Sequence, residues 1–175
     1  MKNIYKTIAL IAFIAITPVV TNAQVVMKEF LSQNIEGKLD HSANNGGKPL
    51  FYKFEYKSVD SMRIYYTLYL YKDASKSSPF LTLPVLIRNL TWTYYLDITF
   101  TKNNTSKVAA LIFKKDLRWS RVKFSPHEGC ALVNPPVWDR LNLVDNYPLL
   151  INNTILQLDK NVNFNCYAET AAATK

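Results

Sequence analysis

Apolar and polar residues alternate with a period of two over much of the chain. The clearest run has a large apolar side chain at every second position, namely Leu90, Trp92, Tyr94, Leu96, Ile98 and Phe100. The intervening positions hold threonine, tyrosine or aspartate. Successive side chains of a strand point to opposite faces, so this run predicts one long strand with a buried face.

Further strands follow from the same pattern. The segments 52–57 and 63–71 alternate in the same way, and the turn signal Asn103-Asn104 predicts a hairpin between the Leu90 strand and the apolar run Val108–Phe113. Shorter strands are predicted at Trp119–Phe124, Leu149–Leu158 and 162–166, the last with Cys166 on an inward face.

One segment has a helical pattern. In 26–35, Val26, Phe30, Leu31 and Ile35 fall near one face, and Gly37 would end the helix. Short strands at a spacing of about ten residues predict an all-β fold. We therefore expect an antiparallel β-sandwich of the immunoglobulin-like or jelly-roll type, with one short N-terminal helix; a barrel is the alternative topology.

The N-terminus has the pattern of an export signal. Lys2 and Lys6 precede nine uninterrupted apolar residues, Ile8–Ile16, and small residues follow before Gln24. This pattern predicts a signal peptide over 1–23, cleaved after Ala23. The alternative, a membrane anchor, needs about 20 apolar residues. Residues 24–175 would then form a single domain.

Charge and compartment limit the partners. The net charge is +8, or +6 without the two lysines of the predicted signal, and the basic residues are dispersed. We interpret them as a solvated surface and expect no nucleic-acid partner. The predicted location is periplasmic or secreted from a bacterium. A eukaryotic secretory pathway is the alternative, in which the Asn-x-Ser/Thr sites at Asn89, Asn103, Asn104 and Asn152 would be glycan acceptors.

Cys130 and Cys166 are the only cysteines. In an oxidising compartment such a pair predicts one disulfide. A redox or metal-binding pair is the alternative, but the spacing is unlike Cys-x-x-Cys.

Residues with catalytic chemistry are scarce. His41 and His127 are the only histidines, and the chain contains neither a zinc-binding helix motif, nor a nucleophile elbow, nor a glycine-rich phosphate loop. We therefore expect no catalytic residues, metal site or cofactor, and interpret both histidines as loop residues. A small secreted hydrolase that uses His127 is an alternative.

The most promising binding residues are aromatic. If Ile64, Tyr66, Leu68 and Leu70 face the core, then Tyr65, Tyr69 and Tyr71 line the opposite face of the strand, beside Arg63. Such a surface would bind a protein or a glycan, unless another segment covers it. Trp138 follows Pro135-Pro136 and is a second candidate; it would instead plug the end of the fold if buried.

These observations predict a function of binding. We expect an exported, non-enzymatic module that recognises a protein or glycan partner in the cell envelope or extracellular space. The alternative is a carrier that holds an apolar ligand between its sheets, lined by Trp92, Tyr94 and Phe100.

Overall fold

The residues described in a computed structural model of this chain are 32–60, 63–90, 93–102, 105–114, 119–127, 129–132, 138–142 and 147–168. For 89–90, 93–94, 102, 105–114, 119–123, 138–142, 147 and 150 the backbone alone is described. The chain divides into Met1–Ser32 and Gln33–Lys175, and all the elements below lie in the second unit. The predicted signal peptide and residues 26–31 of the predicted helix lie outside the described residues.

Most of the described chain is β-structure. Eight strands form one antiparallel sheet in which each strand pairs with its neighbours in sequence. The strands are β1 (Ile35–Leu39), β2 (Leu50–Asp60), β3 (Arg63–Tyr71), β4 (Leu81–Leu90), β5 (Thr93–Lys102), β6 (Thr105–Lys114), β7 (Trp119–Lys123) and β8 (Trp138–Asn142). The predicted hairpin at Asn103-Asn104 is confirmed by the pairing of β5 with β6.

The alternating side chains place the core on one face of this sheet, which we call the inner face. Its fully buried residues include Tyr52, Phe54, Ile64, Leu68, Leu70, Leu96 and Ile98. The predicted buried face of the Leu90 strand is confirmed at Leu96, Ile98 and Phe100. Leu90 itself ends β4, however, and Trp92 and the side chain of Tyr94 lie outside what is described.

A helix, α1 (Tyr147–Asn161), replaces the strand predicted at Leu149–Leu158, so that prediction was wrong. Ile151, Ile155 and Leu158 are buried and recur at intervals of three and four residues, which is the spacing of one helix face. Pro148 lies in the first turn, where a proline is tolerated because the N–H it lacks has no partner within the helix.

The strand predicted at 162–166 was also wrong. Val162 forms an isolated bridge with Ala131, and Phe164–Cys166 is a 3₁₀ turn. The ring of Phe164 stacks on Phe100 of β5, with centroids 6.1 Å apart. The segment therefore contributes aromatic packing to the core instead of extending the sheet.

The apolar face of the sheet packs against α1 and the segment after it. α1 contacts β1, and the Tyr52 hydroxyl donates to Asn152 Oδ1 of α1 at 3.1 Å. The mostly antiparallel β-fold is thus confirmed, but the described strands belong to one sheet and do not show the second sheet of a sandwich. The predicted helix 26–35 is wrong at its end, because Ile35 begins β1.

The predicted disulfide is confirmed. Cys130 and Cys166 are bonded, with Cα atoms 5.6 Å apart, and Cys130 is fully buried. The bond joins the segment that follows β7 to the 3₁₀ turn after α1. Among the described residues, no helix is long and apolar enough to cross a membrane.

Candidate functional site

Strand β3 carries the tyrosines that the sequence singles out. Because its even-numbered side chains point into the core, Tyr65 and Tyr69 lie on the outer face of the sheet, where each is half-buried. Tyr71 lies at the end of the same row but only 7% of it is exposed. Tyr65 and Tyr69 therefore keep part of their surface exposed on the outer face, whereas Tyr71 is buried beside them.

A β-bulge in β2 brings a lysine to Tyr69. The pairing of β2 with β3 shifts register between Tyr56 and Ser58, so Lys57 is the extra residue. Its Nζ lies 5.9 Å from the centroid of the Tyr69 ring, within the range of a cation–π interaction. The Tyr71 ring stacks on Tyr69 with centroids 6.4 Å apart and an interplanar angle of 30°. Tyr69 is thus held by a cation and by a second ring.

Glu55 orients the lysine. Lys57 Nζ donates to Glu55 Oε2 at 2.8 Å, and this hydrogen bond lowers the pKa of Glu55 and raises the pKa of Lys57. Burial raises the pKa of Tyr71. An exposed ion pair adds little to stability, so its main effect is to fix the position of the ammonium group over Tyr69.

Arg63 lies at the other end of the row and is exposed. Its partners across the strands are Asp60 of β2 and Arg88 of β4. Arg88 Nε donates to Asp97 Oδ2 at 2.7 Å, and the Arg88 guanidinium lies 5.2 Å from the centroid of the Tyr95 ring. No acidic side chain of the described residues lies within 4.0 Å of the Arg63 guanidinium. We call Tyr65 and Tyr69, with Lys57, Glu55 and Arg63, the tyrosine face.

Sequence reasoning missed Glu55 and Lys57 as members of this surface. The alternation over 52–57 assigns both residues to the polar side of their strand. This alternation was the one sequence signal that could have placed them on the outer face. That they lie beside Tyr69 depends on the register of β2 on β3, in which Lys53 is opposite Tyr69. Register is a property of the assembled sheet.

Trp138, the second predicted binding residue, is not brought into the tyrosine face. It begins β8 and pairs with Lys123 of β7, so it lies in a strand and not in a loop. Its side chain lies outside what is described, and its predicted role stays a prediction.

The histidines lie in connecting segments, as predicted. His41 is exposed, with Nδ1 3.3 Å from the carbonyl oxygen of Gly47. The His127 ring stacks on Tyr167 with centroids 6.1 Å apart, and its backbone N–H donates to the Tyr167 hydroxyl at 3.2 Å. Within the described ranges, no group of three or more His, Cys, Asp or Glu residues is placed to hold a metal ion.

A buried carboxylate lies at the end of α1. Asp159 accepts hydrogen bonds from Ser42 Oγ at 2.5 Å, from the Ala43 N–H at 2.8 Å and from Asn44 Nδ2 at 2.9 Å. Asn44 Oδ1 in turn accepts from the Phe164 N–H at 2.6 Å. Because these partners belong to the protein itself, we interpret the cluster as an anchor between the β1–β2 loop and the end of the helix.

The segment after α1 covers Phe100, one of the three residues expected to line a site for an apolar ligand. Phe100 is 2% exposed, with the rings of Phe164 and Tyr167 at centroid distances of 6.1 Å and 5.0 Å. The protein's own aromatic side chains fill the space at this position.

Comparison with protein-family models finds no match, and neither the curated proteins nor the solved structures include one that matches this chain.

Proposed function

We propose that this protein is an exported, non-enzymatic binding module that recognises a protein or glycan partner in the cell envelope or extracellular space through the tyrosine face. The predicted signal peptide 1–23 would direct export and be cleaved from the exported protein. The Cys130–Cys166 disulfide is consistent with an oxidising compartment, and we prefer the bacterial periplasm or the extracellular medium.

One observation carries the proposal: Tyr65 and Tyr69 are half-buried on the outer face of a central strand, and Tyr69 is held by Lys57 and Tyr71. Tyrosine offers a large contact area with few rotatable bonds, so binding costs little side-chain entropy. Positioning by neighbours lowers that cost further. A hydroxyl on each ring and the charges of Lys57, Glu55 and Arg63 supply polar contacts around the apolar centre.

The test compares variants that remove the rings and keep the fold. Tyr65→Ser/Tyr69→Ser should lose the ligands that the wild-type protein captures from envelope proteins and from a printed glycan array. Arg63→Glu should weaken the same interactions, because it reverses the charge at one end of the tyrosine face. Arg63 is exposed, so this change leaves the core intact.

The matched control is Tyr56→Ser. Tyr56 is also half-buried, but its ring packs on Tyr66 on the inner side, with centroids 5.8 Å apart. This variant should keep capture despite a similar loss of ring area. Unchanged capture by folded Tyr65→Ser/Tyr69→Ser and by Arg63→Glu would refute the proposal for this face. Tyr71 is left unchanged because its burial predicts a loss of stability on truncation.

A further inference from the structure

Strands β4 and β5 separate along part of their length. β4 stays paired with β3 as far as Leu70↔Leu81, whereas its pairing with β5 ends at Val85↔Ile98. Pro84 is the next residue of β4, and a proline has no N–H to donate to a ladder. The segments 81–84 of β4 and 99–102 of β5 therefore belong to neighbouring strands of the sheet but are not paired with each other.

A cleft of about 740 Å³ opens at this separation. The cleft is lined by Lys72, by residues 79–84, by Thr99 and Thr101 of β5, and by Tyr167 and Ala168. Four consecutive residues of β4 contribute, and consecutive strand side chains point to opposite faces. Buried Leu81 and Leu83 thus line the cleft together with exposed Thr82 and Pro84, so the cleft runs through the thickness of the sheet towards the apolar interior.

The lining of the cleft combines apolar residues, three threonines and a cation. Among the described residues of the lining, Lys72 is the only charged one. Its Nζ lies 4.7 Å from the centroid of the Phe80 ring and donates to Asn165 Oδ1 at 2.8 Å. Among the described residues no carboxylate lies within 4.0 Å of this Nζ. An ammonium group has three N–H donors, so Lys72 can bind an anion while it keeps the bond to Asn165.

We propose that this cleft is a binding site for an amphipathic organic monoanion of the medium-chain carboxylate type, with the carboxylate on Lys72 and the alkyl chain against Pro79, Phe80 and Pro84, which are apolar lining residues with exposed surface. Ligand pockets of about 300–1,000 Å³ that combine apolar residues with a few placed polar groups hold molecules of this size. The site goes beyond the proposed function, since none of its residues belongs to the tyrosine face.

Decanoate below its micellar concentration is the probe, measured by isothermal titration calorimetry and by amide chemical shifts. Wild-type protein should bind one decanoate, with the largest shifts at Thr99, Thr101 and Ala168. Lys72→Gln should weaken binding about tenfold, which corresponds to the loss of one charge-assisted hydrogen bond. Lys48→Gln removes an exposed lysine outside the cleft and should leave the affinity unchanged.

A second variant tests the walls independently of the charge. Thr99→Phe places a ring in the cleft from a half-buried position and should abolish decanoate binding, whereas Tyr69→Ser should not change it even if the tyrosine face fails as a binding surface. Absence of saturable binding to the wild-type protein would overturn the inference. So would binding that survives both Lys72→Gln and Thr99→Phe.

Discussion

At the scale of single residues, Tyr52 shows how a polar group is accommodated in the core. Only 2% of the residue is exposed, and its hydroxyl reaches Asn152 of α1. Gly37 lies opposite it in β1, and a Cβ at that position would be only 2.3 Å from the Tyr52 hydroxyl oxygen. The glycine is required because the ring passes directly over the neighbouring backbone on its way to the helix.

The titration of Tyr52 predicts a stability change at high pH. Burial raises the pKa of Tyr52 to about 12, whereas tyrosine in an unfolded chain titrates near pH 10. Between these values the unfolded chain releases a proton that the folded protein retains, so the free energy of unfolding should fall as the pH rises from about 10 to about 12. The contribution of this residue is about 2–3 kcal/mol.

Urea denaturation of the wild-type protein and of Tyr52→Phe at several pH values measures it. The variant should be less stable by about 1 kcal/mol at neutral pH, through loss of the hydrogen bond to Asn152, and its stability should fall less steeply above about pH 10. Parallel curves for the two proteins over the alkaline range would show that Tyr52 does not titrate differently in the fold.

At the scale of elements, β5 is confirmed and α1 is the main correction. Both segments are rich in apolar residues, but only β5 shows a clear strand period of two, in which Leu96, Ile98 and Phe100 alternate with polar residues. The helical period of α1 is harder to recognise in the sequence. In α1 the buried residues Ile151 and Ile155 are β-branched, which favours a strand locally. Tertiary packing of Ile151, Ile155 and Leu158 on the sheet outweighs that preference.

The strand assignment predicts opposite outcomes for two substitutions in β5. Leu96→Asp should unfold the protein, because an unpaired charge at a position with 0% exposure costs several kcal/mol out of a total stability of roughly 5–15 kcal/mol. Thr101→Asp, at an exposed position of the same strand, should change stability by less than about 0.5 kcal/mol. Circular dichroism and thermal melting distinguish them, and equal tolerance of both changes would mean that the inner face is wrongly assigned.

At the scale of the whole molecule, two long-range connections hold the C-terminal part of the fold. The disulfide links positions 36 residues apart. The Asp159 cluster joins the loop after β1 to the end of α1, a sequence separation of 117 residues for the bond from Ser42. Both connections meet around the 3₁₀ turn, where Asn44 accepts from Phe164.

Removal of the disulfide should therefore destabilise the protein without removing any proposed binding residue. Cys130→Ser/Cys166→Ser should lower the free energy of unfolding by about 2–4 kcal/mol, as expected for opening a loop of this length. Differential scanning calorimetry should show a lower melting temperature, while capture by the tyrosine face persists below that temperature. Two titratable thiols in the native, exported protein would contradict the premise.

The sequence by itself determined the β-rich character, the strands around Tyr52, Tyr65 and Leu96, the hairpin at Asn103-Asn104 and the cysteine pair. Each of these depends on side-chain alternation, turn residues or a small number of candidates, which are local properties. Local alternation also separated Tyr65 and Tyr69 from the core side of β3.

Only the tertiary structure decided what covers the inner face, because an apolar surface can be buried equally well by a helix or by a second sheet. The same is true of Tyr71, which alternation assigned to the surface and the assembled fold buries. The register that brings Lys57 to Tyr69, and the end of the β4–β5 ladder beside Pro84, likewise depend on pairing between distant segments. Such pairing is a property of the folded chain, since each strand alone is compatible with several partners and registers.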